Sequence, residues 1–298
     1  MNGYFQLSDT TYSLEHNHKL PDVSALVESI QVFPVRSEIR TDRFDLPNAV
    51  WRALKNSRIT LQNEDIIAIS SKFASIAEGR VVELAKVFPK ARAIELSKKY
   101  QIESNLAQLV IDESDSILGG VNGFLLSLVK GTIAPNAGID RSNVKNGWAI
   151  LYPKNPDLTT KRVRKVLLAR RNDDENSDKI AKLGVILTDS RVTPTRLGTV
   201  GIALAVSGMK STIDLRGERD LYGNKLKVTL RAIADQVATV AQLMMGEAGE
   251  AIPIALIRGL HFPFAKPKNK FENMSTISPD KCLIIGGLRN GIASDLKD

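Results

Sequence analysis

Three carboxylates stand where metal and phosphate chemistry is easiest to build, each in a short polar or small-residue segment beside an apolar run. Asp140 lies in PNAGIDRSN (135–143), with Asn143 three residues further on. Asp189 lies in TDSR (188–191), directly after the apolar run LGVILT. Glu247 lies in MGEAGEA (245–251), between a long amphipathic stretch and IPIALI. A carboxylate just past a buried strand is rigidly held, which suits coordination of Mg²⁺ or Mn²⁺ by oxygen ligands. The small residues around Glu247 let backbone amides approach phosphates. Each feature also has a local use: aspartates bond backbone amides in turns, and Gly246 can simply end a helix.

Other chemistries find no footing. There is no P-loop pattern and no GxGxxG followed by the expected acid. The segment SGM (207–209) lacks the glycine a nucleophile elbow needs two residues before its serine, where Ala205 stands. His16, His18 and His261 make no metal-ligand pattern, and the single cysteine, Cys282, allows neither an internal disulfide nor a cysteine-rich metal site.

The elements that must position these residues are legible in part. Asp45 followed by Pro47 predicts a helix start, with Val50, Trp51 and Leu54 on its apolar side. IIAIS (66–70) reads as a buried strand. Ser104 is expected to cap a helix carrying Leu106, Leu109, Val110 and Ile117. FLLSLVKGTIA (124–134) predicts a hairpin or bend at Lys130-Gly131. A basic helix over 161–171 and a polar loop over 171–179 precede LGVILT (183–188), a second buried strand. A long helix is expected over 229–245, with Ile233, Val237, Val240 and Met244 on one stripe, and then a strand at 252–257. Helices and strands mix without a regular βαβ repeat, which predicts an α+β fold in two lobes.

Bulk composition narrows the partners. With 298 residues, 43% hydrophobic and 25% charged, the chain has the make-up of an ordinary globular protein. No apolar run approaches the roughly twenty residues that span a bilayer. The polar start, with Glu15, does not resemble a secretory signal. A cytoplasmic protein without a membrane partner is expected. The net charge of +8 points to a polyanion. The densest basic stretch, KRVRKVLLARR, places Val163, Val166, Leu167 and Leu168 near helical spacing, which makes its cations a solvated helix face. No nucleic-acid motif lies near it and aromatics are few, so a small polyanionic substrate fits better than nucleic acid.

Six segments occur in an order that resembles a known family: SIAEGR (75–80), NAGIDRSN (136–143), GVILTDS (184–190), RLGTVGIALAVSGM (196–209), RDLYGNKL (219–226) and LMMGEAGEAIPIALIRGL (243–260). Together they resemble the γ-glutamyl ligases of deazaflavin coenzyme F(420) biosynthesis. The resemblance covers about 32–260, which divides the chain into an N-terminal extension (1–31), a ligase region (32–262) and a C-terminal tail (263–298).

The resemblance implies an unusual α+β fold in an intertwined homodimer. It implies GTP as co-substrate, two divalent cations (Mg²⁺ or Mn²⁺) with a monovalent cation as a further candidate, L-glutamate, and an anionic lactyl-phospho-deazaflavin acceptor activated as an acyl phosphate. By motif, Asp140, Asp189 and Glu247 are the catalytic carboxylates and, with Ser190, the metal ligands. Ser71, Asn143 and the loop residues Met245, Gly246, Ala248, Gly249 and Ile252 resemble nucleotide contacts, and Arg196 and Arg219 are candidates for steadying anionic intermediates. Three departures stand out. Ile76 occupies the place of a family lysine that contacts nucleotide, with Lys72 as the candidate replacement. Val192-Thr193 stands for a Gly-Arg pair, and PVRSEI (34–39) differs where the family's nucleotide loop lies. These departures open two alternatives, a ligase acting on a folate- or pterin-like acid and a non-catalytic nucleotide- or cofactor-binding homologue.

Overall fold

The computed structural model describes residues 29–173, 178–260, 274 and 276–290. Most of the expected extension, part of the polar loop, much of the tail and all three histidines lie outside them. Strand β1 (Gln31–Val35), helix α1 (Leu46–Asn56), strand β2 (Asp65–Ser70) and helix α2 (Ser71–Ala77) come first. The middle of the chain holds β3 (Val81–Glu83), α3 (Ala91–Tyr100), α4 (Ser104–Glu113), β4 (Ser116–Val121), β5 (Phe124–Val129), β6 (Thr132–Pro135) and β7 (Trp148–Ile150). Then follow α5 (Pro156–Asn172), β8 (Leu183–Val192), β9 (Thr199–Ser207), β10 (Ile213–Asp214), β11 (Leu230–Arg231), α6 (Ile233–Met245), β12 (Ile254–Arg258) and α7 (Leu283–Asn290). The class is α+β with several sheets. None of the described helices is long and apolar enough to cross a membrane.

The main sheet has the order β1-β12-β2-β8-β9, with β2 and β8 parallel and the other neighbours antiparallel. Its central strands are apolar on both faces because both are covered. The period of two sends Ile67, Ile69, Val185, Leu187, Ile254 and Leu256 to the face packed by α1 and α5. The alternate residues Ile66, Ala68, Ile186, Ala255 and Ile257 meet Val237, Ala238 and Ala241 of α6. Each large apolar side chain so buried contributes about 1.5–3 kcal/mol. A third cluster packs α3 and α4 against the small sheet β4-β5-β6.

Local signals meet the structure well. Asp45 caps α1, its Oδ1 accepting from the Asn48 amide at 2.9 Å, with a proline in the first turn. Lys130 and Gly131 both have positive φ (48° and 79°), as the tight hairpin between β5 and β6 requires. Several expectations need correction. Ser104 is the first residue of α4, after Glu103, and makes no capping bond. Ile117 leaves that helix for β4. The basic helix begins at Pro156 under an Asn155 cap, and includes Arg171 and Asn172. Arg171 is buried, its Nε donating to the Leu61 carbonyl at 2.8 Å. Helix α6 begins at Ile233, since Leu230–Arg231 pairs with β10. Its buried stripe ends on Met245, leaving Met244 exposed. Ile252 precedes β12. The tail, for which the sequence predicts no element, holds α7.

Candidate active site

Because β2 and β8 are parallel and in register from Asp65↔Leu183 to Ser70↔Thr188, their C-terminal ends arrive together. Ligand clefts form beyond such strand ends in α/β arrangements. Here a cleft of about 500 Å³ opens among the end of β2 and α2, the outer half of β8, the Asp140 loop and the 246–253 loop. Asp189 is not in a loop after its strand, as expected, but inside β8, paired with Ile202 of β9. A bulge between Leu187 and Thr188 resets the register just before it.

Two hydroxyls hold the Asp189 carboxylate. Ser71 Oγ donates to Oδ1 at 2.9 Å, and the Tyr152 phenol donates to Oδ2. Arg191 Nη2 in turn donates to the Tyr152 oxygen at 3.1 Å. Burial pushes the Asp189 carboxyl above its ordinary range, against the opposing pull of both hydroxyls and the Arg191 charge. Burial, followed by the neighbouring carboxylate, likewise pushes the Tyr152 phenol up. The motif glycine Gly138 makes room for this tyrosine: a Cβ there would fall 1.9 Å from the ring.

Asp140 reaches the same cleft from the loop after β6, its backbone bridging to Ile150. Its Oδ2 meets Lys72 Nζ at 2.7 Å, and its Oδ1 accepts from the Ser142 amide at 2.6 Å. Burial raises this carboxyl, but the Lys72 and Ser142 donors outweigh it and hold the group below its ordinary range. Lys72 Nζ also donates to Ser142 Oγ at 2.7 Å. On the far wall, Ser190 Oγ lies 2.8 Å from both Glu247 carboxylate oxygens, and Gln242 Nε2 donates to Ser190 Oγ at 2.9 Å. Asn143 Nδ2 donates to the Ala248 carbonyl at 2.9 Å, tying the Asp140 loop to the Glu247 loop.

Of the residues singled out in the sequence, Lys72, Asp140, Asn143, Asp189, Ser190, Met245, Gly246, Glu247, Ala248, Gly249 and Ile252 line this one cleft. Ile76 lines it too. Ser71 does not; it sits buried beneath Asp189. Arg196 and Arg219 also lie off the cleft lining, and Arg219 Nη1 bonds the Gly223 carbonyl of its own exposed turn. Sequence reasoning missed Tyr152, Ser142, Thr199, Gln242 and Arg191 as parts of the site. Ser142, Arg191 and Thr199 carried a signal, lying inside the quoted segments, whereas Tyr152 and Gln242 lie outside them.

The sequence profile of the F(420)-0:gamma-glutamyl ligase family matches residues 35–259. The chain belongs to that family. It is 39% identical over 211 residues to the coenzyme F(420):L-glutamate ligase of Methanocaldococcus jannaschii, covering 70% of this chain and 81% of that protein. It is 34% identical over 233 residues to the like-named protein of Archaeoglobus fulgidus, covering 78% and 88%. A third, from Methanococcus maripaludis, is 37% identical over 215 residues, 72% and 83%.

This member of the family offers a donor set suited to a hard divalent cation. Carboxylate and hydroxyl oxygens of Asp140, Asp189, Ser190 and Glu247 face one cleft, with neither sulfur nor imidazole among them. Among the described residues no three His, Cys, Asp or Glu side chains gather closely enough to hold a metal ion by themselves. Open sets of this kind suit Mg²⁺, which keeps waters and substrate phosphates in its shell.

Proposed function

We propose that the protein joins L-glutamate to coenzyme F(420)-0 through an amide bond, consuming GTP. The observation that carries this reading is the convergence of Asp140, Asp189, Ser190 and Glu247 on one cleft, in a chain of this family. The names of its relatives support glutamate and the deazaflavin acid as substrates. In this reading the acceptor carboxylate attacks the γ-phosphoryl group, giving an acyl phosphate and GDP. The neutral amine of glutamate then attacks the acyl carbon, phosphate departs, and the amine proton passes to solvent or phosphate.

Asp140, Asp189, Ser190 and Glu247 would hold one or two divalent cations, Mg²⁺ or Mn²⁺. Bound there, such a cation neutralises charge on the phosphoryl oxygens. Ser71 and Tyr152 fix the Asp189 carboxylate before ligands arrive, so little reorganisation is needed. Lys72 holds Asp140 ionised and stands ready to contact phosphate. The Asn143 bond to Ala248 ties the small-residue loop to the Asp140 loop at the cleft.

A homodimer in the cytoplasm completes the reading. The side chains of Leu197, Leu221, Tyr222, Val228 and Leu243 are each at least 80% exposed, a set that a second copy of the chain would cover. The function is tested by incubating the protein with the deazaflavin acid, L-glutamate, Mn²⁺ and either GTP or ATP, and reading product mass. A product heavier by one glutamate residue, formed only with nucleotide, is expected. Nucleotide-dependent product with a folate- or pterin-like acid alone would move the assignment to that acceptor, the opening left by Ile76 and the 34–39 segment.

A further inference from the structure

Three cationic side chains line the cleft, and all three meet protein groups. Lys72 is bound to Asp140 and Ser142, and Arg191 donates to Tyr152. Arg40 differs. Its Nη2 meets Glu38, its guanidinium lies 5.8 Å from the Phe44 ring centroid, and its buried Nε has no hydrogen-bond partner. A buried, charged donor left unspent is costly, and a protein rarely keeps one without a use.

Arg40 also lines a second, smaller hollow of about 50 Å³ that adjoins the cleft through Ser37 and Glu38. Its remaining wall brings Arg36 from the segment after β1 together with Arg52 and Asn56 from α1. Among the described residues the side chains of Arg36 and Arg52 make no hydrogen bond or ion pair. Three guanidinium groups against the single carboxylate Glu38 leave the hollow net positive. Cations in the last turn of a helix answer its carbonyl dipole, which accounts for Lys55 but not for Arg52. That explanation does not reach Arg36 or Arg40, which precede the helix. The hollow exceeds one water's share of roughly 30 Å³ and is open to the cleft, so it has room for one compact group.

We infer that Arg36, Arg40 and Arg52 form an oxyanion subsite of the cleft, taking one phosphate or carboxylate group of a ligand whose body lies against Asp140 and Asp189. Guanidinium forks recognise both groups through paired N–H donors. The inference rests on the cleft being the ligase site proposed above. Within that reading the sources of the oxyanion are the nucleotide, the phosphodiester acceptor and glutamate.

The test uses the full-length protein, with Arg40→Ala, Arg40→Lys, Arg52→Ala and the Arg36→Ala/Arg52→Ala double variant, their folds checked by circular dichroism and melting. GTP, the deazaflavin acid and L-glutamate are titrated separately by calorimetry with Mn²⁺ present. The expected result is a dissociation constant about tenfold higher for one of the three in Arg40→Ala and in the double variant, with partial recovery in Arg40→Lys. The ligand affected identifies the oxyanion. Unchanged affinities in folded variants for every ligand the wild type binds overturn the inference. If the wild type binds none of the three, the functional reading fails, and inorganic phosphate and pyrophosphate decide the subsite by ³¹P line broadening. Broadening in the wild type that is lost in the variants upholds it; equal or absent broadening overturns it.

Discussion

The Tyr152 phenol donates to Oδ2 of Asp189, joining residues 37 apart in sequence. With Ser71 on Oδ1, the carboxylate is held on both oxygens while its face toward the cleft stays open. Tyr152 acts through Asp189, so it is a positioning residue. Tyr152→Phe is expected to lower Mn²⁺ affinity and turnover by about 10–100-fold with the fold intact, the usual effect of losing a partner of a metal ligand. Calorimetry with Mn²⁺ checks this. Unchanged Mn²⁺ affinity would reduce the tyrosine to a packing element.

Asp189→Asn separates function from stability. The substitution keeps both acceptor geometry and volume at Oδ1, but removes a charge whose burial already raises its pKa. Turnover is expected to fall by orders of magnitude while the melting temperature holds or rises. Near-normal turnover in the folded variant would make Asp189 a structural strand residue.

Asp235 illustrates why the position of Asp189 could not be read from the sequence. Its Oδ1, on the first turn of α6, accepts from the Ala203 amide of β9 at 2.9 Å, beside the bulge that precedes Asp189. Asp235→Ala strands that amide and is expected to cost about 1–3 kcal/mol in chemical unfolding. Asp235→Asn keeps the acceptor. Burial raises the Asp235 carboxyl, against the Ala203 amide and the Arg191 charge. A carboxyl whose folded pKa lies above its unfolded value destabilises the fold at neutral pH, and the loss disappears as pH falls below the unfolded value. Asp235→Asn should therefore melt higher than wild type at neutral pH and converge with it in acid. A constant difference across pH would remove the charge from the account.

Signals confined to a few neighbouring residues were legible: the Asp45 cap, the Lys130-Gly131 turn and the apolar cores of β2, β8 and β12. The outer half of β8 was not, because TDSRV is polar and reads as loop until β9 pairs with it. The carboxylates were identifiable because they sit in motif segments. Tyr152 and Gln242 carry no periodic or motif signal, and only the tertiary contacts bring them to Asp189 and Ser190.

Lys72 and Asp140 neutralise one another across 2.7 Å, so Lys72→Met should divide two affinities that otherwise move together. Without the ammonium, Asp140 is free for a cation and Mn²⁺ should bind at least as tightly. GTP should lose a charge-assisted contact of about 1.5–3 kcal/mol, which is at least tenfold in dissociation constant. Titrating each ligand alone checks both directions. Weaker Mn²⁺ with unchanged GTP would place Lys72 with the metal ligands rather than the nucleotide.

Ile76 lies one helical turn after Lys72 on α2, on the same face, and lines the cleft at 9% exposure. The two positions are four apart, so a lysine at 76 would stand beside Lys72 with a like charge. Ile76→Lys also removes an apolar side chain from a nearly buried place, so a lower melting temperature is expected. In exchange, once Asp140 engages a cation, the pair would present two positive charges to phosphate. If the wild type is an active ligase with altered ligand preference, the variant should bind nucleotide more tightly and shift its preference between GTP and ATP, or between acceptors. It should not create activity from nothing. Rates of glutamate addition to the deazaflavin acid and to folate-like acids, measured with both nucleotides for both proteins, decide the matter. Activity in the wild type is the expected outcome. A wild type inactive on every acceptor beside an active Ile76→Lys variant would show that this chain lost its turnover through that one position.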